Sequence, residues 1–297
     1  MEFLSRLLSC FSKRESERIC YSRNTTNSSR KKHSSTLSER NLCRHFSLRE
    51  LQLATKSFDQ TSIIGIDCFG IVYKGCTNNG ATEIAINRYK KEDYTRWLHT
   101  FKNEVQFLCQ LHHPNLMSFI GFCDDQNELI TVYEFVANGS LHDHLHRPNK
   151  AEPLSWRRRL EICIGTAHGL HYLHTGAKIV IIQRDMKTEN ILLDKNWMPK
   201  IASLNLYKKE SDTDGMSKTK KLVGMNSRHV GTTGLIDPEY AVVGKLTEKT
   251  DVFAFGLVLL EVVTGKPTSR QILEENDIDR IMDPFLKEKT APECWQT

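Results

Sequence analysis

Apolar positions change their spacing along the chain, and the change separates a polar first segment from a globular remainder that begins near Phe46. Two β-rich runs, 70–75 and 83–86, follow one another across a glycine-containing stretch, which is typical of neighbouring strands. Further on, apolar residues recur three or four positions apart over 156–174, so a long helix is predicted there. The residues predicted to line its buried side are Leu160, Ile164, Ala167, Leu170 and Leu173.

The first 45 residues hold ten Lys or Arg against four Glu, and 23–39 are mostly Ser, Thr, Asn and basic residues. Such a segment buries too little apolar surface to offset its chain entropy, so we expect it to be disordered. Residues 1–18 differ, because apolar residues there recur at helical spacing beside Cys10 and a basic flank. They predict either a membrane-surface helix with a palmitoylated cysteine, or a basic tail or short helix that docks on the domain.

The composition of the chain mainly indicates the cellular compartment in which the protein is expected. The chain is 39% hydrophobic and 26% charged with a net charge of +5, which is ordinary for a globular protein and does not indicate nucleic acid or DNA as a partner. No run of 18 apolar residues or secretory leader is present, so a cytoplasmic protein is expected. Nine scattered cysteines predict no disulfide framework and a reducing compartment.

Cys109, His112, His113 and Cys123 could form a metal cluster, but a helix end followed by a turn explains them better.

The start of the globular region carries a helix signal. Ser47 is a predicted N-cap, and Glu50 completes a capping box for a helix that runs to Thr55. The glycines of 65–70 then join β-rich runs, which suggests a hairpin that covers phosphate groups.

These segments, above all 43–55 and 71–75, resemble the intracellular kinase domain of plant receptor-like kinases, especially the FERONIA-type malectin-domain group, over roughly 43–294. The resemblance implies an α+β, bilobal protein-kinase-like fold. Its parts would be a small β-rich N-lobe at 46–136 and a mainly helical C-lobe at 137–297, after the disordered segment 1–45. Fewer residues than the resemblance implies separate Pro267 from Ile281, and the family's last helices are not matched, so we expect a C-lobe truncated at its C-terminus.

The family's nucleotide site is altered in this chain. The family's third strand ends in a Lys that pairs with phosphates and with a helix Glu; here Asn87 stands in its place, and Glu104 matches the Glu. Arg88 would point to the opposite face, whereas Lys74 is a conceivable substitute. Asp67 adds negative charge to the glycine loop. By resemblance, the nucleotide-contacting positions are Gly65, Gly70, Val72, Ala85, Glu104, Glu134 and Val136.

The catalytic loop is largely retained. By resemblance, Asp185 would accept the substrate proton, Lys187 would touch the transferring phosphate, and Asn190 would hold magnesium. Gln183 replaces the family's His, a change expected to weaken packing more than chemistry. Ser203 replaces the magnesium-binding Asp, and a neutral hydroxyl is a poor ligand for this hard cation. No metal site is assigned, and ATP and magnesium are expected to bind weakly.

The substitutions favour a pseudokinase that acts as a signalling scaffold or regulator. Its expected partners are other receptor-like kinases or immune receptors, with a location in the cytoplasm or at the inner face of the plasma membrane. The Ser- and Thr-rich activation segment could be phosphorylated with Arg184 as phosphate partner, or be an unregulated loop. Two alternatives stay open: an active or weakly active serine/threonine kinase, and a truncated product without function.

Overall fold

A computed structural model describes one folded region of the chain, in two parts that correspond to the β-rich and helical halves. The described residues are 43–66, 70–77, 80–90, 94–146, 153–177, 180–203, 207–208, 247–269, 272–273, 275 and 278–289. The predictions made for 1–42, for Asp67 and for the activation segment 206–239, apart from Tyr207 and Lys208, therefore lie outside them. Among the described helices, none combines the length and the apolar character that a membrane crossing requires.

The first part contains a six-stranded sheet and two helices. The elements are β1 (Arg44–His45), α1 (Leu48–Ala54), β2 (Ile63–Ile66), β3 (Gly70–Thr77), β4 (Thr82–Tyr89), α2 (Tyr94–Leu108), β5 (Phe119–Cys123) and β6 (Ile130–Glu134). The strands lie in the order β1-β5-β6-β4-β3-β2, and α2 lies beside the sheet.

The second part is mainly helical, with two small antiparallel ribbons, β7–β10 and β8–β9. Its elements are α3 (Leu141–His146), α4 (Trp156–His171), β7 (Ile181–Ile182), β8 (Ile191–Leu193), β9 (Pro199–Ile201), β10 (Tyr207–Lys208), α5 (Glu248–Thr264), α6 (Ile278–Ile281) and α7 (Pro284–Lys289). A π-helical turn, Tyr172–Gly176, extends α4, and the 3-10 turn Thr188–Asn190 precedes β8. The β-sheet half and the helical half confirm the α+β, two-lobed expectation.

The start of the folded region is specified locally. Ser47 caps α1, and both hydrogen bonds of the capping box with Glu50 are present, as the sequence predicted. One boundary was wrong: Arg44 and His45, assigned to the disordered segment, pair in parallel with Gly121 and Phe122 of β5. Strand pairing satisfies their backbone groups, so polar composition did not decide their structure.

The predicted buried side of α4 and the turn after it is confirmed at Leu170 and Leu173 but wrong at Ile164. Ile164 is 38% exposed, whereas Arg159 is among the most buried side chains of the described part. The reason is a set of contacts that periodicity cannot show. The Arg159 guanidinium donates to the Leu154 and Val262 carbonyl oxygens and to the Asp283 carboxylate, and so connects α4 with α5 and with the segment before α7.

The cysteines also depart from expectation. Cys43, just before β1, is joined to Cys109, just after α2, by a disulfide with a Cα–Cα distance of 5.5 Å. The prediction of no disulfide is therefore wrong for this pair, because a sequence separation of 66 hides the proximity that the sheet creates. Cys109 lies at a helix end, as predicted.

Candidate functional site

One face of β3 and β4 carries the predicted nucleotide-contacting side chains. In the antiparallel register Val72 lies opposite Asn87, and Lys74 lies opposite Ala85, so all four project to the same side. Ile84 and Ile86 alternate with them and are buried in the core on the other side. The sheet therefore separates a core face from a cleft face, and Asn87 belongs to the cleft face.

Gly70 is required by the strand pairing itself. A Cβ on this residue would lie 2.2 Å from the Arg88 carbonyl oxygen, whereas a Cβ on Gly65 would meet nothing closer than Val72 at 3.7 Å. The two glycines predicted to approach phosphate thus differ, because only Gly70 is held by a close backbone contact.

The family's Lys–Glu pair has no counterpart at Asn87 and Glu104. Asn87 Oδ1 is buried and accepts no hydrogen bond within the described part of the chain. Glu104 forms no hydrogen bond or ion pair with any described residue, and burial raises the pKa of its carboxyl from 4.5 to about 7. Burial, and to a lesser degree the Glu104 charge, also raises the pKa of Tyr133 on β6. Among the described residues, therefore, none supplies a cation to this partly buried carboxyl group.

Neither nearby cation substitutes for the missing Lys. Arg88 forms a two-bond ion pair with Glu128, at 2.8 and 2.7 Å, and stacks on Phe58, which places it away from the cleft as predicted. Lys74 pairs with Glu83 at 2.5 Å and lies 4.0 Å from the centre of the Phe135 ring. Lys74 is therefore engaged with Glu83 and Phe135.

The strand β6 leads into the segment predicted to bind adenine. Glu134 Oε1 accepts hydrogen bonds from the Ser118 amide at 2.9 Å and from its hydroxyl at 2.8 Å. Its carboxylate also pairs with Lys200 of β9 at 2.8 Å. Val136 is buried. Glu134 thus links this segment to β9 through an ion pair. The sequence did not predict this structural role of the side chain.

The retained catalytic-loop residues lie together. Asn190 Nδ2 donates to the Asp185 carbonyl oxygen at 2.7 Å and to Asp185 Oδ2 at 2.8 Å. Lys187 Nζ lies 3.1 Å from the same carboxylate oxygen. An amide and an ammonium group thus converge on Asp185, so the loop geometry suits an oriented carboxylate whatever chemistry follows.

Asp251 of α5 binds the backbone of this loop. Its carboxylate accepts hydrogen bonds from the backbone amides of Gln183 and Arg184, each at 2.8 Å, and His174 Nε2 lies 2.8 Å from it. Arg184 has a φ of 73°, a strained value for a side chain other than glycine. The buried Asp251 thus holds the loop backbone in a conformation that it would not favour alone.

Gln183 bridges the catalytic loop and the altered metal motif. Its Oε1 accepts from the Asp185 amide at 2.7 Å, and its Nε2 donates to the Ser203 carbonyl oxygen at 3.2 Å. Gln183 is also fully buried, so both ends of its amide group are used inside the fold. The expected weakening of the packing relative to the family's His stays a prediction. The bridging role itself fits the residue type, because an amide donates and accepts hydrogen bonds at once.

Ser203 stands where a magnesium carboxylate would be needed. The residue is exposed, has a φ of 54°, and offers only a neutral hydroxyl. Asn190 lies near it, since the Ala202 amide donates to the Asn190 carbonyl oxygen at 2.8 Å. Magnesium favours anionic oxygen, and its second expected ligand, Asn190, is directed at Asp185. The residues here do not fit the family's magnesium arrangement.

Comparisons with known proteins cover the same region. A family described as protein tyrosine and serine/threonine kinase matches residues 58–296. The receptor-like protein kinase FERONIA of Arabidopsis thaliana is 40% identical over 276 residues, which are 86% of this chain and 29% of FERONIA. ANXUR2 and THESEUS 1, receptor-like protein kinases of the same plant, are 41% identical over 273 residues and 40% identical over 277 residues. These alignments cover 85% and 86% of this chain, but only 30% and 31% of ANXUR2 and THESEUS 1.

Proposed function

Since this chain belongs to the protein tyrosine and serine/threonine kinase family, with receptor-like protein kinases among its relatives, we propose that it is a pseudokinase. It would act as a signalling scaffold or regulator of active kinases. Its partners would be other receptor-like kinases or immune receptors in the cytoplasm or at the inner face of the plasma membrane.

The observation that carries the proposal is the uncompensated Glu104. Burial raises the pKa of Glu104 to about 7, and the Asn87 oxygen accepts no hydrogen bond in the described part of the chain. The described residues of this cleft thus offer acceptors without the cation that would neutralise a triphosphate. Removing one preorganised electrostatic group typically lowers turnover by about 10²–10³-fold. Ser203 removes a second group, although such losses are not additive.

The rival function, an active or weakly active serine/threonine kinase, is favoured by one observation. Asp185, Lys187 and Asn190 retain a compact arrangement, and Asp251 holds their loop. A retained base can position a substrate hydroxyl, but phosphoryl transfer also needs the charge of the phosphate to be neutralised. The two functions therefore make different predictions for nucleotide binding and turnover.

The test measures thermal shift with ATP and magnesium, and transfer of radiolabelled phosphate to the chain and to a basic protein substrate. We expect no magnesium-dependent shift and no transfer above background for the wild type. The double variant Asn87→Lys plus Ser203→Asp should bind ATP with magnesium and gain measurable transfer. Adding Asp185→Asn to it should abolish that gain while leaving binding in place.

Wild-type transfer at a rate typical of kinases, roughly 1–100 per second, would overturn the proposal in favour of the active kinase. Absence of a cooperative melting transition in the wild type would instead support the truncated product without function. Pull-down with an active receptor-like kinase domain then tests the scaffold role. Wild type and the Asp185→Asn variant should be retained equally, because binding through a surface does not need the catalytic base.

A further inference from the structure

The disulfide between Cys43 and Cys109 joins the segment before β1 to the end of α2. The two cysteines are 66 residues apart in sequence, and their Cα atoms are 5.5 Å apart. This Cα–Cα distance lies within the usual range for a disulfide.

Apolar side chains surround the bond. Phe101 and Val105 of α2, with Leu129, form a buried cluster with Cys109, and Cys43 packs against it. Cys109 is 9% exposed, whereas Cys43 is more accessible. An attacking thiol would therefore reach the Cys43 sulfur first, and Cys109 would be the leaving group.

Non-covalent contacts hold the same junction together without the bond. Arg44 and His45 pair with β5, His45 Nε2 lies 2.7 Å from Asp124 Oδ1, and Lys102 of α2 lies 3.4 Å from the other oxygen of Asp124. These contacts keep the two cysteines near one another after reduction. The pair can therefore close again rapidly, which a reversible site requires.

The remaining described cysteines lack such a partner. Cys76 is exposed and Cys123 and Cys163 are buried, and all three are free. Burial raises the pKa of Cys123 to about 11 and that of Cys163 to about 12, so these thiols stay protonated and unreactive.

We propose that Cys43 and Cys109 form a redox modification site that exchanges with cellular dithiols and controls the position of the end of α2. In the exchange, a dithiol attacks Cys43 and forms a mixed disulfide while Cys109 leaves as a thiolate and takes up a proton. The second thiol of the reductant then releases Cys43, so the cysteine pair gains two electrons and two protons and the dithiol becomes a disulfide.

The functional consequence follows from position. Cys109 comes five residues after Glu104 on the chain, so the bond fixes the last turn of the helix that carries this carboxyl. Reduction frees that turn from the segment before β1. This proposal does not depend on whether the chain transfers phosphate.

The test uses the full chain purified without reductant, alkylated, digested and mapped by mass spectrometry. We expect a Cys43–Cys109 peptide pair in wild type and in the Cys76→Ser control. Glutathione redox buffers of stepped composition should convert the pair reversibly within the range of a reducing cytoplasm. Hydrogen exchange in residues 101–109 should become faster on reduction of the wild type, and should not respond to dithiothreitol in the Cys43→Ser variant.

Three results would overturn the proposal: both cysteines alkylated in the unreduced protein, a pairing with other cysteines, or a bond that resists millimolar dithiothreitol in the native state. The last result would identify a permanent structural crosslink. The reduced wild type is measured together with the Cys43→Ser and Cys109→Ser variants. If one of these variants fails to fold, the comparison of oxidised and reduced wild type still tests the proposal.

Discussion

Gln183 Nε2 donates a 3.2 Å hydrogen bond to the Ser203 carbonyl oxygen, and this contact ties the catalytic loop to the site of the lost magnesium ligand. The same side chain accepts a bond from the Asp185 amide at 2.7 Å. Gln183 thus connects the loop to Ser203 through neutral hydrogen bonds, in addition to the support that the Asp251 carboxylate gives to the loop backbone.

Replacing Gln183 by Leu should lower stability, because the substitution leaves the Asp185 amide without its side-chain acceptor. We expect a loss of about 1–3 kcal/mol in the free energy of unfolding, measured by urea denaturation. Gln110→Leu is the matched control, since that glutamine is exposed just after α2 and its amide donates to the nearby Gln106 carbonyl oxygen at 2.8 Å. Equal effects of the two substitutions would show that the Gln183 bridge contributes nothing.

Glu104 predicts an unusual pH dependence of stability. Its folded-state pKa of about 7 lies above the ordinary 4.5, so the folded form binds the proton more tightly. The contribution is fully present below pH 4.5 and is lost as the pH rises through 7. Glu104→Gln should remove this slope and exceed the wild type by about 1–3 kcal/mol above pH 8.

Denaturant titrations at pH 5 and pH 8 measure this difference. Glu161→Gln, on the exposed side of α4, is the control and should run parallel to the wild type at both pH values. A Glu104→Gln variant that is less stable than wild type at pH 8 would mean that the carboxylate has a stabilising partner.

Features that depend on neighbouring residues were predicted correctly from the sequence. Local signals were reliable: the Ser47 capping box formed, and Arg88 pointed away from the cleft because alternation along a strand allows nothing else. The α+β halves followed from the resemblance, which rests on motifs spread over most of the chain. Asn87 and Ser203 were visible as substitutions because their positions are defined by neighbouring motifs.

What escaped prediction depends on contacts between distant segments. Ile164 was assigned to the core by spacing, but Arg159 and its distant partners determine which side of α4 is buried. Cys43 and Cys109 come together only once β1 has joined the sheet. No periodicity in a single segment reports such pairings, because they are properties of the assembled fold.

Arg159 is expected to be among the most sensitive positions for stability. Arg159→Met keeps the length of the side chain but leaves the Asp283 carboxylate and two carbonyl oxygens without their donor. Breaking a buried ion pair from one side costs about 3–5 kcal/mol, and chemical denaturation should show this loss. Arg157→Met is the control: that side chain is 88% exposed in its pair with Glu161, so a change below about 1 kcal/mol is expected.

Gly65 and Gly70 allow the structural and phosphate-binding uses of glycine to be separated. Gly70→Ala places a methyl group 2.2 Å from the Arg88 carbonyl oxygen, so β3 and β4 must move apart, at a cost of about 1–3 kcal/mol. Gly65→Ala meets only Val72, at an ordinary 3.7 Å, and should change stability by less than about 1 kcal/mol. Thermal melts of both variants without nucleotide measure the difference, and equal melting temperatures would contradict the assigned strand contact. Because the cleft is proposed to bind ATP weakly, adding ATP with magnesium should leave both melting temperatures unchanged.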